Sequence, residues 1–222
     1  MKNVNVAIDG PSGSGKSTLS RRAAELLGFI YVDTGAMYRT IGLYAYRLNI
    51  SVEDVTPIID RLDEISIDLK YENGEQLIYL NGENVSGEIR THIISAYASA
   101  VAKIPAVRAF LLERQRLLAA KNSVIMDGRD IGTVVLPQAD VKIFLTASPE
   151  IRAKRRYAEL KERGQEIDYH QLLQDIIDRD YQDSHRTVAP LKPSETSVVL
   201  DTSELAFEES LHKLIEIIKE KI

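Results

Sequence analysis

Residues 10–17 read GPSGSGKS, which fits the pattern G-x-x-x-x-G-K-[ST], and Thr18 follows. An apolar run at residues 4–8 precedes this segment, and a helical pattern over residues 16–27 follows it. The pattern is specific in this strand-to-helix context, so a chance Lys-Ser after a glycine-rich turn is a poor alternative. The glycines let the backbone turn tightly enough to direct several N–H groups at one anion, beside the N-terminus of a helix. The sequence therefore predicts a loop that binds the phosphates of a nucleoside triphosphate.

Two side chains of this loop are suited to phosphate chemistry. Lys16 can reach the β and γ phosphates of a bound triphosphate, and the Ser17 hydroxyl suits Mg²⁺. We therefore assign Lys16 a catalytic role and Ser17 a metal-binding role.

The composition limits the class of protein. The chain has 222 residues, 44% of them hydrophobic and 27% charged, and a net charge of −5, which fits a soluble α/β domain and argues against a nucleic-acid-binding domain. It has no cysteine, which excludes disulfides and thiolate zinc sites, and its four histidines lack metal-ligand spacing. We see neither a secretory signal nor an apolar run of membrane-spanning length, so we expect a cytoplasmic protein without a membrane or nucleic-acid partner.

Apolar runs recur along the chain with helical patterns between them. After residues 4–8 they return at 123–126, 141–145 and 197–200, and a last helical pattern covers 204–221. Strands that alternate with helices predict an α/β fold with a parallel sheet flanked by helices. Ligands of such sheets bind beyond the carboxyl ends of the strands.

One segment departs from this alternation. Residues 65–69 alternate apolar and polar side chains, a second short run covers 77–80, and Asn-Gly pairs stand at 73–74 and 81–82. Asn-Gly between short strands is typical of hairpin turns. We therefore predict a small antiparallel three-stranded insert at residues 65–87.

Residues 33–39, DTGAMYR, supply the parts of a second anion site. A hydroxyl at Thr34, a helix N-terminus and Arg39 together can bind a phosphate. A solvated position for Arg39 is equally compatible with the spacing alone. Two phosphate sites in one small fold suggest a donor and an acceptor.

Residues 124–130, VIMDGRD, place charged groups at a strand end. Asp127 ends an apolar strand, where phosphate-loop enzymes hold a carboxylate near Mg²⁺, and Arg129 could clamp a transferring phosphate. The alternative is a capping Asp with a surface Arg. Two acids, Asp127 and Asp130, crowded with an arginine at one strand end favour the functional interpretation.

Near the C-terminal third, Arg179, Asp183 and Arg186 stand at i, i+4 and i+7 of a helical pattern, which predicts one shared face. A solvated, salt-bridged face is the common alternative.

A basic cluster follows the run at 141–145. Its members are Arg152, Lys154, Arg155 and Arg156. Without further context it is a surface cluster, whereas in a kinase a mobile basic segment neutralises transition-state charge and excludes water.

The sequence resembles the bacterial cytidylate kinases over nearly the whole chain. The matching segments are IDGPSGSGKST, DTGAMYR, LNGENVSGEIRT, DGRDIGTVVLP, VKIFLTAS and RDYQDSHRTVAPL. The first is shared by many kinases, whereas DTGAMYR, VSGEIRT and DGRDIGTVV are far more specific to this family. The antiparallel insert is also a feature of the family, which adenylate kinases lack.

The resemblance implies a P-loop NTPase-type fold that transfers the γ-phosphoryl group of ATP to CMP or dCMP with Mg²⁺. It implies a single nucleoside monophosphate kinase domain over residues 1–222. The core covers 1–64 and 88–222, a short basic lid lies at about 150–167, and the insert at 65–87 lies on the CMP side. We expect a monomer.

The resemblance also assigns residues. The residues implied to hold ATP are Gly10, Pro11, Ser12, Gly13, Ser14, Gly15, Lys16, Ser17 and Thr18. Those implied to bind CMP are Thr34, Arg39, Arg129 and Asp127 at the phosphate and metal side, Tyr38 near the nucleotide, Ser99, Arg179 and Asp183 at the ribose, and Arg108, Arg186 and Asp130 at the cytosine. Family members usually carry Ser where this chain has Thr34, and the hydroxyl is kept.

Catalysis would then be direct in-line transfer, with Lys16, Arg129 and the lid residue Arg155 neutralising charge and Asp127 near the metal. One rival is another small-molecule kinase of this fold, acting on UMP, AMP or shikimate. A rival of a different class is a nucleotide-binding regulatory switch without an acceptor. The second anion site argues against the switch, as does the lack of the Asn-Lys-x-Asp element of guanine-selective switches.

Overall fold

The protein is described here by a computed structural model that covers residues 3–72, 75–162 and 164–222. The strands are β1 (Asn5–Asp9), β2 (Ile30–Asp33), β3 (Ile67–Glu72), β4 (Glu75–Leu80), β5 (Glu83–Asn84), β6 (Val124–Gly128), β7 (Val141–Thr146) and β8 (Val198–Asp201). The α-helices are α1 (Lys16–Leu27), α2 (Thr34–Arg47), α3 (His92–Val101), α4 (Pro105–Lys121), α5 (Pro149–Glu162), α6 (Tyr169–His185) and α7 (Phe207–Lys219). Short 3-10 helices cover Thr56–Glu64 and Glu88–Arg90, and a π-helical turn covers Ile131–Val135.

A five-stranded sheet in the order β2-β6-β1-β7-β8 forms among the described residues. β1 pairs in parallel with both β6 and β7, and β7 pairs in parallel with β8. Val6, Ala7 and Ile8 of β1 have no exposed surface, because the central strand is covered on both faces. The predicted parallel sheet is confirmed, and the predicted strands match the observed ones to within about two residues.

The chain divides into two compact units, Met1–Tyr31 with Asn122–Ile222, and Val32–Lys121. In the first unit, apolar side chains of β1 and β7 pack with Leu19 of α1 and with Leu214 and Ile218 of α7. A smaller apolar cluster joins α5 to α6 through Ala153 and Leu172, among others. The domain organisation expected from the sequence stays a prediction.

The second unit contains α2, α3, α4 and the antiparallel sheet β3-β4-β5. The three-stranded insert is confirmed, although β3 begins at Ile67 and not at Ile65, because Ile65 closes the preceding 3-10 helix. Asn81 and Gly82 both have positive φ, 50° and 85°, which is the geometry that the predicted second Asn-Gly turn requires. The other predicted turn, at 73–74, lies outside the described residues.

In the part of the chain that the structure describes, no single helix has the length and apolar composition needed to cross a membrane. The pair α3 and α4, bent by 98°, meets that test only when its two helices are taken together.

Candidate active site

The phosphate loop joins β1 to α1, and three of its glycines have backbone angles that only glycine adopts readily. Gly10, Gly13 and Gly15 have φ of 153°, 74° and 89°. A side chain at Gly10 would also overlap the carbonyl oxygen of Leu145. Because Gly15 is the N-cap of α1 and carries no side chain, no capping oxygen competes for the N–H groups of the first helical turn. The loop and the helix end therefore present backbone donors to an anion.

Lys16 is folded against its own loop. Its Nζ donates to the Pro11 carbonyl at 2.6 Å and lies 3.5 Å from Ser14 Oγ, and the side chain is buried. The pKa of Lys16 is lowered to about 7, mainly by burial and also by the charge of Arg129, while Asp127 and other acids oppose the change. An anion bound to this loop would favour the protonated lysine.

Asp127 lies at the carboxyl end of β6, and both of its oxygens accept hydrogen bonds. Ser17 Oγ donates to Oδ2 at 2.8 Å, and the Tyr31 hydroxyl donates to Oδ1 at 3.0 Å. A hydroxyl beside a carboxylate is an oxygen donor set of the kind that Mg²⁺ prefers, so these residues fit the metal. Among the described residues no group of three or more His, Cys, Asp or Glu is placed to hold a metal. A magnesium ion with one or two protein ligands is usual where substrate phosphates supply others. The sequence reasoning did not identify Tyr31.

Arg129, directly after β6, donates through Nε to Asp183 Oδ2 at 2.8 Å. Burial alone would raise the pKa of Asp183, but the charge and hydrogen bond of Arg129, together with the charges of Arg179 and Arg186, outweigh it and hold that pKa below its ordinary value. In the same loop, Asp130 accepts from Arg186 Nη2 at 3.4 Å. Two arginine-carboxylate pairs therefore bring together four of the predicted CMP-binding residues.

The predicted shared helix face holds for Arg179 and Asp183, which belong to α6, but it is wrong for Arg186. That residue follows the last residue of the helix and has an extended backbone, with φ −63° and ψ 141°. The chain turns back there because the Leu191 N–H donates to the Asp183 carbonyl at 2.8 Å and Arg186 Nε donates to the Ala189 carbonyl at 2.6 Å. Arg186 reaches Asp130 from this turn.

The basic cluster contains arginines in different surroundings. Arg152 is 2% exposed, forms an ion pair with Asp180 of α6 and donates to the Ser12 carbonyl at 3.0 Å. Arg155 donates to the Thr202 carbonyl at 2.7 Å and lies 3.5 Å from the Ser14 carbonyl. Both arginines thus contact the phosphate loop through its carbonyl groups, and Arg152 is part of the packed interior of its unit.

In the second unit, Asp33 organises the start of α2. Its Oδ1 accepts the Ala36 N–H at 2.8 Å and its Oδ2 accepts Arg39 Nη2 at 2.9 Å. Its own N–H donates to Gln76 Oε1 of β4 at 3.2 Å. Thr34 is buried beside this network. Arg39 is therefore held by a carboxylate, whereas the sequence left a solvated position open. Asp33 and Gln76 were not among the predicted site residues.

The remaining predicted residues of the second unit lie on its helices. Arg108 of α4 is 9% exposed, its guanidinium lies 5.9 Å from the centroid of the Tyr38 ring, and Nη1 lies 3.4 Å from the Ala102 carbonyl. Ser99 lies on α3 and is partly buried.

Asp9 is a further buried acid that the sequence reasoning did not single out. It is 4% exposed and accepts the N–H groups of Ile131 and Gly132, each at 2.7 Å. Burial raises its pKa to about 6, against the effect of these two hydrogen bonds. An acid at the end of an apolar strand, one residue before Gly10, was the signal available in the sequence.

The chain is similar to known proteins over nearly its whole length. A family model described as Cytidylate kinase matches residues 6–220. A protein named Cytidylate kinase from Caldicellulosiruptor saccharolyticus is 52% identical over 217 residues, which are 98% of this chain and 96% of the relative. Another of that name from Caldanaerobacter subterraneus subsp. tengcongensis is 50% identical over 218 residues, 97% of this chain and 95% of the relative. A crystal structure of a protein from Eubacterium ventriosum, described as uncharacterized, has a TM-score of 0.50 at 13% identity over 98% of this chain and 97% of its own, a likeness of fold alone.

Proposed function

The chain belongs to the cytidylate kinase family, and we propose that it transfers the γ-phosphoryl group of ATP to CMP or dCMP, giving ADP and CDP or dCDP. The observation that carries this proposal is the grouping of Lys16, Ser17 and Asp127 beyond the carboxyl ends of β1 and β6, two adjacent parallel strands. Arg129 stands in the loop that follows β6. Phosphoryl transfer needs a phosphate cradle, a carboxylate on the metal side and cations that neutralise charge, and this grouping supplies all three.

On the donor side, the triphosphate would bind the backbone N–H groups of residues 10–18, and Lys16 would exchange the Pro11 carbonyl for phosphate oxygens. Ser17 and Asp127 would hold Mg²⁺, directly or through its waters. When bound, the ion neutralises charge on the β and γ phosphates. Arg155, which already contacts the loop, would add positive charge on the same side.

On the acceptor side, arginines held by acids would bind the CMP phosphate. In the first unit, Asp183 engages Arg129 at Nε and the Gly128 carbonyl lies 3.4 Å from Nη1, so Nη2 would make the main bond to the phosphate oxygens. In the second unit, Asp33 engages one terminal nitrogen of Arg39, and the Thr34 hydroxyl adds a donor. Holding each guanidinium in place before the substrate binds reduces the side-chain entropy lost on binding.

Cytosine would be recognised by donors and one acceptor. Arg108 and Arg186 can only donate, which suits the O2 and N3 acceptors of cytosine. The Asp130 carboxylate can accept from the N4 amino group. In uracil, N3–H would face an arginine donor and O4 would face the Asp130 carboxylate. UMP should therefore be a poor substrate.

The reaction itself needs no covalent enzyme intermediate, because the acceptor is already an anion. An oxygen of the CMP phosphate forms a bond to the γ phosphorus, while the bond from that phosphorus to the β–γ bridging oxygen breaks and ADP leaves with the electron pair. The residues contribute by positioning the two phosphates in line and by neutralising charge at Lys16, Arg129 and Arg155.

The proposed partners are these small nucleotides, and we propose a monomer that acts without nucleic acid or membrane. The test is a coupled ADP-release assay with ATP alone and with CMP, dCMP, UMP or AMP. We expect release to depend on CMP or dCMP. Release without any acceptor would favour a regulatory nucleotide-binding protein, and equal rates with UMP or AMP would favour a broader kinase of the same fold.

A further inference from the structure

Asp9 closes β1 and stands directly before the phosphate loop, but its side chain bonds to a different segment. Oδ1 accepts the Ile131 N–H and Oδ2 accepts the Gly132 N–H, both at 2.7 Å. Gly132 eases this approach, since a Cβ there would lie in tight contact, 3.3 Å from Asp9 Oδ2 and 3.3 Å from Lys142 Cδ. The two bonds therefore use both oxygens of the carboxylate at residue 9, and a side chain at residue 132 would press on one of them.

The bonded segment directly follows the loop that carries Arg129 and Asp130. Ile131 begins the π-helical turn, in which the N–H groups of Val134 and Val135 both donate to the Asp130 carbonyl, at 2.9 and 3.1 Å. The Asp9 carboxylate thus fixes the peptide groups immediately after Asp130, while the π-helical turn fixes the Asp130 carbonyl. The backbone from Gly128 to Gly132 is held from both sides.

This arrangement is not the one that stability alone would favour. Burial raises the pKa of Asp9 to about 6, which means that an ionised carboxylate is unfavourable at this position despite its two hydrogen bonds. A buried charge kept at such a cost is commonly found where function requires it.

We propose that Asp9 is a positioning residue, whose carboxylate ties the end of the strand that leads into the phosphate loop to the loop that carries Arg129 and Asp130. This inference rests on the proposed roles of Arg129 and Asp130 toward CMP. Since β1 continues into Gly10, the same residue holds the backbone that binds the donor phosphates and the backbone that presents the acceptor-binding side chains. Losing the tie would let Arg129 shift while the phosphate loop, which is held by its own glycine turns, stays intact.

The test compares Asp9→Asn and Asp9→Ala with the wild type in steady-state kinetics. Asn keeps one acceptor and Ala keeps none, so kcat/KM for CMP should fall by about tenfold with Asn and further with Ala, because a displacement of about 1 Å can cost on the order of 10²-fold. KM for ATP should change less than about twofold. A matched control is Asp140→Asn, since Asp140 accepts the Asn5 N–H at 2.9 Å at the opposite end of β1. This control should retain wild-type parameters for both nucleotides.

Gly132→Ala provides a second approach if the Asp9 variants fail to fold. It leaves the acid in place and adds a Cβ that presses on Asp9 Oδ2 and on the flexible Lys142 side chain, so it should reproduce the loss for CMP with little change for ATP. In the double variant with Asp9→Asn, the two losses should be smaller than additive. An unchanged kcat/KM for CMP, or equal losses for both nucleotides in a folded variant, would overturn the inference. A wild type without CMP-dependent ADP release would instead reject the proposed function.

Discussion

The Ser17 hydroxyl donates a hydrogen bond of 2.8 Å to Oδ2 of Asp127, although the two residues are 110 positions apart in the sequence. The bond joins the first turn of α1 to the carboxyl end of β6. Tyr31 holds the other oxygen of the same carboxylate, so the metal-side acid has a fixed orientation before any ligand binds. Fixed orientation of charged groups is a main source of rate enhancement in phosphoryl transfer.

Replacing Asp127 with Asn should raise the Mg²⁺ concentration that gives half-maximal activity and lower kcat by roughly 10²-fold, because a neutral amide binds the ion or its waters less well. Magnesium titrations at saturating ATP and CMP measure both effects. Tyr31→Phe is the matched variant, since it removes one hydrogen bond to the same carboxylate and keeps its charge. It should cause a much smaller change, and equal effects of the two variants would contradict the metal-side role of Asp127.

Burial of Asp9 predicts how stability changes with pH. The pKa of this acid is raised to about 6 in the native state from an ordinary value of 3.8. As pH falls through about 6, the native protein takes up a proton that the unfolded chain takes up only near pH 4, so this group favours the native state increasingly as pH falls from 6 to 4. Relative to Asp9→Asn, the wild type should therefore gain on the order of 2–3 kcal/mol over that range.

Urea unfolding of the two proteins at pH 7.5, 6, 5 and 4 measures this difference. The Asp9→Asn variant serves as the reference for the wild type, because the two proteins share every other titrating group. If the two backbone hydrogen bonds to Asp9 outweighed burial, its pKa would lie below 3.8 and the difference would shrink as pH falls.

The buried position of Arg152 predicts that its substitution lowers the free energy of unfolding, an effect that substitution of the more exposed Arg156 should lack. Arg152→Met leaves the Asp180 carboxylate and the Ser12 carbonyl without their partner, and removing one member of a largely buried ion pair should cost about 2–3 kcal/mol of unfolding free energy. Arg156→Met removes an exposed pair with Glu159 and should cost less than about 0.5 kcal/mol. Thermal or urea unfolding compares the two. Similar small losses would show that Arg152 contributes no more than a surface arginine.

How far the sequence alone could lead depends on whether a feature is local. The glycine pattern and a helical period predict a helix from about residue 16 to residue 27, and α1 covers Lys16–Leu27. β3 was placed two residues early, because alternation at Ile65 and Ser66 does not reveal that a 3-10 helix ends there.

The missed site residues share a different cause. Asp9 meets its partners 122 and 123 positions later, and the Asp33 N–H meets Gln76 43 positions later. Such contacts depend on how strands pair and helices pack, and neither periodicity nor spacing encodes them directly. Arg186 is a similar case. Its spacing from Asp183 fits a helix, but α6 ends one residue before Arg186, and the spacing alone does not show this.

The bond from Asp33 to Gln76 gives a specific test of the insert. Gln76 shares one face of β4 with the buried Ile78 and Leu80, so it is a polar residue on the inward side of the insert. Gln76→Leu should leave the Asp33 N–H without its acceptor and loosen the carboxylate that holds Arg39. KM for CMP should rise by roughly three- to tenfold, with KM for ATP unchanged.

Lys70→Ala on the exposed side of β3 is the control, and it should change neither constant. Equal increases for CMP and ATP in Gln76→Leu would argue that the insert affects the whole protein and has no specific role on the acceptor side.

The last prediction concerns the choice between cytosine and uracil. Arg186, held by the Ala189 carbonyl and by Asp130, is a donor that suits the acceptors of cytosine and opposes the N3–H of uracil. A site built on such hydrogen bonds should favour CMP over UMP by about 10²-fold or more in kcat/KM. Arg186→Met removes the donor, so kcat/KM for CMP should fall far more than that for UMP, and the ratio between them should narrow. Arg22→Met, an exposed arginine of α1 paired only with Glu25 among the described contacts, should leave the ratio unchanged. Comparable wild-type kcat/KM for CMP and UMP would contradict the proposed selectivity for cytosine. An unchanged ratio in Arg186→Met would show that Arg186 does not recognise the base.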